Sequence, residues 1–533
     1  MLKLRALSVV GLAVAVSATA LAQGPKPLTF PTAVFDAHLR FLASDLLEGR
    51  GIGSRGGRLA AAYIEAVFRG AGLEPRYPEG FSQPFAMNAF APDPRAALAY
   101  RTAGADVVLA PGDDFVGTNF GLPEGGLGAR PLFVGYGINA PREGWDDYKG
   151  VAVAGRLLIG LVNEPGRDDP ARFRGRALTA HGRWRTKLEE AARRGAAGML
   201  LVHTDEDAGY TWEVVRNSWS GEAFRLADDP LLLPLAGWFR EQHARALLRA
   251  AGLDLDELRQ RAERPDFTPV EVLLEVRVTA ARSVRPVEGA NVVGVLPGRS
   301  PMAVVLSAHY DHLGIGREIG GDAIYNGAVD NGTALSTLLA LAQAWGRTER
   351  ASRPTLVFAA VDAEEEGLLG SQAYTRRPAV PLPSTLANIN FEMSNAWGRT
   401  RDVIAIGAAH SSLGELLGVV LARAGLRLAP EPVPEQGYFF RSDQYSFAQA
   451  GVPAIWLDSG TDYENRPAGW GEAVRRAYRD NDYHRPSDEV KPEFDLSGLA
   501  QLAELSSALI AEIDARGRVD WLPASEFTSP WLR

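Results

Sequence analysis

The 533-residue sequence predicts an α/β fold, a mixed doubly wound sheet with helices on both faces, interrupted by an inserted β-rich domain. Three observations lead to this prediction. From Val287 onward, buried-strand runs alternate with amphipathic helices, as they do in doubly wound sheets. Charged residues follow directly on the ends of several of those strands, where such sheets bind ligands. Residues 129–281, by contrast, are rich in strand patterns and contain one good amphipathic helix.

The first 22 residues are predicted to be a cleaved signal peptide. Lys3 and Arg5 precede an apolar run over residues 7–21, and Ala-Leu-Ala at 20–22 supplies the small residues of a cleavage site. The run is too short for a comfortable membrane span. We therefore expect a periplasmic or secreted protein with no integral membrane anchor after cleavage. The absence of cysteine excludes disulfides, lipidation on cysteine and a cysteine nucleophile.

The remaining chain is predicted to divide into three parts. Residues 23–128 form the N-terminal part of the main domain, and apolar spacing predicts helices over 35–47 and 57–72. Residues 129–281 form the insert. Residues 282–533 form the larger part of the main domain, in which strands and helices alternate.

Six charged or imidazole side chains are the candidates for chemistry, because most of them lie at or just beyond a predicted strand end. The strand VVLSA leads to His309, and Asp330 follows a glycine-rich loop. The strand TLVFAAV is followed by Glu364 and Glu365. The full set is His309, Asp330, Glu364, Glu365, Glu392 and His484.

Two imidazoles and three carboxylates of this set could hold two divalent ions, leaving one carboxylate to accept a proton. Zinc suits a mixture of imidazole and carboxylate ligands, and an open coordination position lowers the pKa of its bound water to about 7. Paired ions in such sites lie roughly 3.5–4 Å apart. We predict two Zn²⁺ per chain, with Asp330 as the carboxylate that bridges them.

In order and spacing, six motifs resemble those of the two-zinc exopeptidases, a family that includes secreted zinc aminopeptidases and glutamate carboxypeptidases. The insert similarly resembles the protease-associated domain that many members carry. The resemblance implies a zinc-exopeptidase fold and a secreted, zinc-dependent hydrolase of peptides. The motifs are SAHYDH (307–312), GAVDNGTA (327–334), DAEEEGLLGS (362–371), INFEM (389–393), FRSDQYSF (440–447) and DYHRPSD (482–488).

The resemblance also implies a role for each candidate. One zinc would be bound by His309 and Glu392 and the other by Glu365 and His484, with Asp330 shared.

Two further residues receive a catalytic role from the resemblance. Glu364 would be the general base, and Asp311 would orient the first histidine through its second ring nitrogen. The sequence departs from the common family pattern at two positions. Glu392 stands where relatives commonly have Asp, and Gln444 stands where they commonly have His.

An exopeptidase has to recognise one end of its substrate. An ammonium terminus requires carboxylates, which the predicted site has in excess, whereas a carboxylate terminus requires Arg or Lys. Arg441 and Arg485 are the only cationic side chains in the motifs, so we predict an aminopeptidase. Tyr438 is the candidate donor to the reaction's oxyanion, and Trp456 is a candidate wall of the substrate pocket.

Three alternatives remain open at this stage. A carboxypeptidase or dipeptidase would use Arg441 for the terminal carboxylate. Glutaminyl cyclase has a related fold but one zinc and no such insert, and a non-catalytic receptor should have lost ligands. Nucleic acid is not an expected partner, because the net charge is −9. The insert either caps the site or mediates formation of a homodimer.

Overall fold

The computed structural model describes residues 28–102 and 104–528, so the predicted signal peptide, residues 1–22, lies outside the described residues. In those ranges, no helix combines the length and the apolar character needed to cross a bilayer. The strands, in chain order, are β1 (Ser82–Ala91), β2 (Ala97–Arg101), β3 (Asp106–Leu109), β4 (Phe115–Asn119), β5 (Leu127–Ala129), β6 (Leu132–Phe133), β7 (Asn139–Ala140), β8 (Trp145–Asp146), β9 (Leu157–Leu161), β10 (Gly198–His203), β11 (Ala223–Leu226), β12 (Leu235–Arg240), β13 (Val270–Glu271), β14 (Val276–Thr279), β15 (Ser283–Leu296), β16 (Ala303–His309), β17 (Gly314–Ile319), β18 (Asp322–Tyr325), β19 (Thr355–Val361), β20 (Thr385–Asn390), β21 (Asp402–Ile406), β22 (Arg427–Ala429) and β23 (Ala454–Ser459). The α-helices are α1 (Thr32–Leu42), α2 (Arg55–Gly70), α3 (Trp184–Arg193), α4 (Asp205–Ala208), α5 (Trp212–Ser220), α6 (Glu241–Ala250), α7 (Leu255–Ala262), α8 (Ala334–Gly346), α9 (Leu369–Arg376), α10 (Leu413–Ala424), α11 (Gln444–Gln449), α12 (Trp470–Asn481) and α13 (Ser497–Arg516).

The main sheet is mixed, as the sequence predicted. Among the described residues it has nine strands in the order β11-β1-β15-β19-β16-β20-β23-β21-β22. Its centre is parallel, because β16 pairs in parallel with both β19 and β20, and β20 pairs in parallel with β23. Antiparallel pairs flank this centre, β15 with β19 on one side and β21 with β23 on the other.

Helices cover both faces of the main sheet, which confirms the predicted fold class. Successive side chains of a strand point to opposite faces. Val304 and Leu306 of β16 accordingly join a core with α1, α2, α8, α10 and α13, while Ala303 and Val305 join a second core with α9 and α11. Helix α8 is apolar on most of its surface because it is buried between β16 and three other helices.

The insert has sheets and cores of its own. In the described part of the chain, one sheet has the order β13-β6-β9-β10-β12-β4 and the other the order β3-β2-β14-β5. Strands β2, β3 and β4 precede residue 129, and they pair with each other or with strands of the insert. Their partners in β12 and β14 lie more than a hundred residues further along, so the local pattern does not reveal this pairing. The identity of the insert as a protease-associated domain stays a prediction.

A buried arginine joins the N-terminal segment to the loops beyond β16. Arg50 is only 1% exposed, and its guanidinium donates hydrogen bonds to the carbonyl oxygens of Leu42, Tyr310, Asn326 and Gly327 at distances of 2.5 to 3.0 Å. Burial lowers the pKa of this guanidinium, an effect that nearby carboxylates oppose. Because it reaches three separate segments, the side chain fixes their relative positions.

Replacing this guanidinium should therefore destabilise the protein. We expect Arg50→Met to lower the free energy of unfolding by about 3 kcal/mol, because buried carbonyl oxygens lose their donors. The control is Arg55→Met, since that side chain is 68% exposed and its ion pair with Glu48 is a surface contact. Urea unfolding followed by tryptophan fluorescence would test both variants. Equal midpoints for Arg50→Met and the wild type would contradict the structural role assigned to this residue.

Candidate metal centre

Three parallel strands deliver candidate side chains to one edge of the main sheet. The register pairs His309 of β16 with Val361 of β19, and Ser307 of β16 with Asn390 of β20. The residues that follow β19 and β20 therefore emerge beside His309. This arrangement brings together Glu364, Glu365 and Glu392, which the sequence places just beyond those strands.

A first group of buried ligand atoms gathers around His309. Its Nε2 atom lies 3.1 Å from Oε1 of Glu392 and 3.4 Å from Oδ1 of Asp330. The ligand atoms of these three residues all lie within 4.8 Å of one another. The other oxygen of Glu392 accepts a hydrogen bond from Oγ of Ser442 at 2.6 Å, so this longer carboxylate has a defined orientation. Sequence reasoning had not assigned a role to Ser442.

A second group shares Asp330 with the first. Nε2 of His484 lies 3.2 Å from Oδ2 of Asp330 and 3.2 Å from Oε2 of Glu365. In the described structure neither approach forms a hydrogen bond, and this buried nitrogen has no other hydrogen-bond partner. The two oxygens of Asp330 thus face two different imidazoles, His309 and His484. A carboxylate that bridges two cations requires this arrangement.

A third imidazole lies in the same cluster. Nδ1 of His312 is 2.7 Å from Oε1 of Glu365, and together with Asp330 these residues form a second group able to hold a metal ion. With its proton on Nδ1, His312 donates to Glu365 and leaves the other carboxylate oxygen facing His484. The motif SAHYDH by itself does not decide whether His312 supports a ligand or makes a purely structural contact.

Asp311 contacts both His309 and the turn that carries Glu364 and Glu365. Nδ1 of His309 lies 3.1 Å from the main-chain oxygen of Asp311 and 3.6 Å from its carboxylate, so the nearer acceptor is the main chain. The carboxylate of Asp311 instead accepts hydrogen bonds from the backbone N–H groups of Glu364 and Glu365, at 3.0 and 3.3 Å. It therefore fixes the turn that presents two adjacent glutamates in different directions.

Asp488 supports the segment that carries Asp330. Its carboxylate accepts hydrogen bonds from the backbone N–H groups of Val329 and Asp330, at 3.0 and 3.1 Å, and from the hydroxyl of Tyr478 at 3.1 Å. The motif DYHRPSD contains this residue, but nothing in the sequence pattern indicates its partner. The contact links the loop of His484 to the shared carboxylate.

The electrostatics of the cluster favour a bound cation. Burial by itself would raise the pKa of Glu365, but His484 and His312 together lower it to about 2. Burial would lower the pKa of His484, but Glu365 and Asp330 together raise it to about 10. The neighbouring Glu364 behaves differently, because burial raises its pKa well above the ordinary value and Glu392 adds to the increase. Adjacent carboxyl groups with pKa values pushed apart are typical of an acid–base site.

The donor set fits divalent metal ions. Imidazole nitrogens and carboxylate oxygens are ligands that suit zinc, and buried carboxylates need a counter-charge. His309, Glu392 and Asp330 could hold one ion, and Glu365, His484 and Asp330 could hold another.

The predicted substrate-pocket residues line the same cavity as the ligands. Tyr438, Arg441 and Trp456 all border it, and its volume is about 310 Å³. The rings of Tyr438 and Trp456 pack edge to face, with centroids 5.9 Å apart. Gln444 does not border the cavity. It is buried, donates to the carbonyl of Phe439 at 2.9 Å and stabilises the turn behind the pocket.

Part of the wall of the cavity comes from the insert. Sequence reasoning missed these residues, which precede the first ligand motif by 88 to 129 positions and follow no motif of their own. They include Leu178, Arg183, Trp184, Tyr210 and Trp219.

Comparisons with known proteins agree with this description. The sequence model of Peptidase family M28 matches residues 291–510. Over 207 residues the chain is 28% identical to leupeptin-inactivating enzyme 1 of Streptomyces exfoliatus. That match spans 38% of this chain and 43% of that protein, so the chain matches less than half the length of this relative.

A solved structure shares the fold. The aminopeptidase from Aneurinibacillus sp. strain AM-1 is similar with a TM-score of 0.53 and 18% identity, over 94% of this chain and 97% of that one. BSAP, a zinc aminopeptidase from Bacillus subtilis, is similar with a TM-score of 0.45 and 16% identity, over 91% of this chain and 96% of that one.

The family match covers the segment in which the ligand motifs occur in order. It agrees with the resemblance to zinc exopeptidases on which the sequence prediction depended. The sequence model of Peptidase family M28 thus matches the segment, residues 291–510, that contains all six motifs.

Proposed function

We propose that this protein is a secreted or periplasmic aminopeptidase that binds two zinc ions and removes residues from the free amino end of peptides. One observation carries the proposal. Asp330 faces the imidazoles of both His309 and His484, and Glu364 borders the same cavity. A shared carboxylate, two separate ligand groups and a further carboxylate are the parts that hydrolysis of a peptide bond requires.

The zinc ligands we propose are the two groups that share Asp330. His309 and Glu392 complete one, and Glu365 and His484 complete the other. Zinc bound there would supply Lewis-acid activation of water and polarisation of the scissile carbonyl. The surrounding hydrogen bonds hold the ligands in place before metal binds, which reduces the reorganisation that binding requires.

Glu364 is the proposed general base. Its backbone is held by Asp311, and its side chain borders the cavity in which a peptide would lie. It would accept a proton from the attacking water and deliver that proton to the leaving amine. The neighbouring Glu365 is turned towards His484, so the two adjacent carboxylates divide proton transfer and metal binding between them.

The carboxylates of the cavity favour a substrate ammonium group. Asp330, Glu364, Glu365 and Glu392 all border it, so a free amino terminus finds opposite charge close to the reacting carbonyl. Tyr438 would donate a hydrogen bond to the oxyanion, and the buried ring of Trp456 would contact an apolar substrate side chain. Peptides are the proposed partners, and the homodimer stays a prediction.

The direction of cleavage can be tested with one short peptide in three forms: free at both ends, N-acetylated, and beginning with glutamine. We expect stepwise loss of residues from the free amino end and no cleavage of the acetylated form, with chelator abolishing the reaction. Mass spectrometry of the products would distinguish these outcomes. Trimming of the acetylated peptide from its carboxyl end would indicate a carboxypeptidase. Loss of ammonia alone would indicate a cyclase, and no change in any form a non-catalytic protein.

The general base can be tested by Glu364→Gln. We expect kcat to fall by about 10²- to 10⁴-fold with zinc content unchanged, because the amide keeps the shape but cannot accept the proton. Glu366→Gln is the matched control, since that carboxylate belongs to the same run of glutamates but accepts a hydrogen bond from the backbone N–H of Phe224. Equal activity of Glu364→Gln and the control would eliminate Glu364 as the base.

The ligand assignment can be tested by metal content. We expect two zinc ions in the wild-type protein, one in His484→Ala, and two in His312→Ala. Nε2 of His484 faces both carboxylates of its group, whereas the one carboxylate that His312 hydrogen-bonds in the described structure is that of Glu365. Elemental analysis after dialysis would measure the stoichiometry. Loss of one ion from His312→Ala but not from His484→Ala would reverse the assignment.

A further inference from the structure

The cavity that holds the ligand cluster is bordered by cations as well as carboxylates. Arg183 of the insert, directly before α3, and Arg441 of the main domain both border it. Arg183 belongs to the insert and Arg441 follows the turn at Tyr438–Phe440 of the main domain, so the two side chains come from separate parts of the chain. A substrate site that bound only an ammonium group would not need these two arginines.

Neither guanidinium is neutralised by the protein. Within residues 28–102 and 104–528, the side chain of Arg183 forms no hydrogen bond or ion pair. Arg441 donates to the neutral Oε1 of Gln436 at 3.2 Å. The two groups lie close enough to repel each other, because burial, and then the charge of Arg441, lowers the pKa of Arg183 to about 10. Two partly buried cations that have no paired anion in the described structure indicate a binding site for an anionic group of a ligand.

Two other arginines of the insert differ from Arg183 because they have carboxylate partners. On the helix that begins next to Arg183, Arg185 pairs with Glu189 at 3.1 Å, and Arg193 pairs with Glu190 at 3.2 Å. Both of these arginines therefore have carboxylate partners within α3, whereas the described structure gives Arg183 none.

Aromatic rings flank the guanidinium of Arg441. The guanidinium carbon of Arg441 lies 5.8 Å from the ring centroid of Tyr210 and 5.7 Å from that of Tyr438. One of these tyrosines belongs to the insert and the other to the main domain. Contacts of this kind orient the side chain without using up its hydrogen-bond donors, which remain free to bind a ligand.

We propose that Arg183 and Arg441 together bind a carboxylate of the substrate, and that the insert thereby makes the enzyme select short peptides by their free carboxyl end. The proposal rests on the peptidase function proposed above and specifies its substrates. Guanidinium groups bind carboxylates through paired hydrogen bonds, and two of them converge here. The volume of about 310 Å³ is at the small end of ligand pockets, which suits a peptide of two or three residues held at both ends.

The same chemistry could come from an acidic side chain, so the test needs four substrates. These are leucine p-nitroanilide, which has no carboxylate, Leu-Ala-Ala with a free carboxyl end, its C-terminal amide, and the amide of Leu-Glu-Ala. They would be assayed with the zinc-loaded full-length protein and with Arg183→Gln, Arg183→Lys and Arg441→Gln. Arg193→Gln is the matched control, because it lies on α3 but does not border this cavity.

For the wild type we expect kcat/KM for the free acid of Leu-Ala-Ala to exceed that for its amide by about 10-fold or more. A charge-assisted hydrogen bond to the carboxylate would produce an effect of this size. Arg183→Gln and Arg441→Gln should reduce this ratio towards one while hydrolysis of the anilide is retained. Arg183→Lys should restore part of the ratio, and Arg193→Gln should leave it unchanged. If only the Leu-Glu-Ala amide shows the preference, the carboxylate is that of an acidic side chain.

Binding provides a readout that is independent of turnover. In the zinc-loaded Glu364→Gln background, calorimetry should show tighter binding of the Leu-Ala-Ala acid than of its amide, and Arg183→Gln should remove the difference. Equal kcat/KM for acid and both amides in the wild type, with the anilide cleaved, would overturn the anion site but leave the peptidase intact. Failure to cleave the anilide and every peptide would instead overturn the proposed function.

Discussion

The buried guanidinium of Arg50 is the interaction on which the geometry of the site depends. It donates to carbonyl oxygens on the N-terminal helix, on the segment after β16 and on the loop before Asp330, and no solvent reaches it to substitute for a lost acceptor. A buried cation is tolerable only with compensating charge, and the carboxylates of Asp330 and Asp311 are the nearest sources. The arginine and the metal ligands are thus stabilised by one another.

Neighbouring residues hold several of the candidate ligands in place through hydrogen bonds. Asp488 holds the backbone at Asp330, Asp311 holds the turn of the two glutamates, and Ser442 orients Glu392. Each contact joins one ligand-bearing loop to another. The site is consequently built by the packing of loops on a parallel sheet, and a carboxylate moved by one methylene, as with Glu392, can be accommodated by its neighbour.

The insert adds residues that would recognise the proposed peptide substrate. Its residues form part of the wall of the cavity that the candidate metal ligands border, and they bring a cation, Arg183, near Arg441. A peptide in that cavity would meet carboxylates on one part of its surface and guanidinium groups on another. Such a division of charge matches the two ends of a short peptide, and it gives the capping interpretation of the insert a chemical reason.

Much of the fold and most of the site were predictable from the sequence, because both depend on local pattern. Buried-strand runs and helical spacing predicted the mixed sheet, and the ends of those strands located His309, Glu365 and Glu392. Parallel strands bring their carboxyl ends to one edge, so a linear order of motifs was enough to predict that these side chains meet.

Three features depended on contacts between distant segments and were not predictable in this way. Strand β2 pairs with β14 and β4 pairs with β12, Arg50 meets Tyr310 across 260 positions, and Arg183 reaches the cavity from the insert. The periodicity of apolar residues in a sequence indicates only which face of its helix or strand a residue occupies, and not what that face contacts. The sequence by itself therefore determined the sheet and the set of candidate metal ligands, whereas the partners that hold those side chains and the cations that border the cavity were decided by tertiary packing.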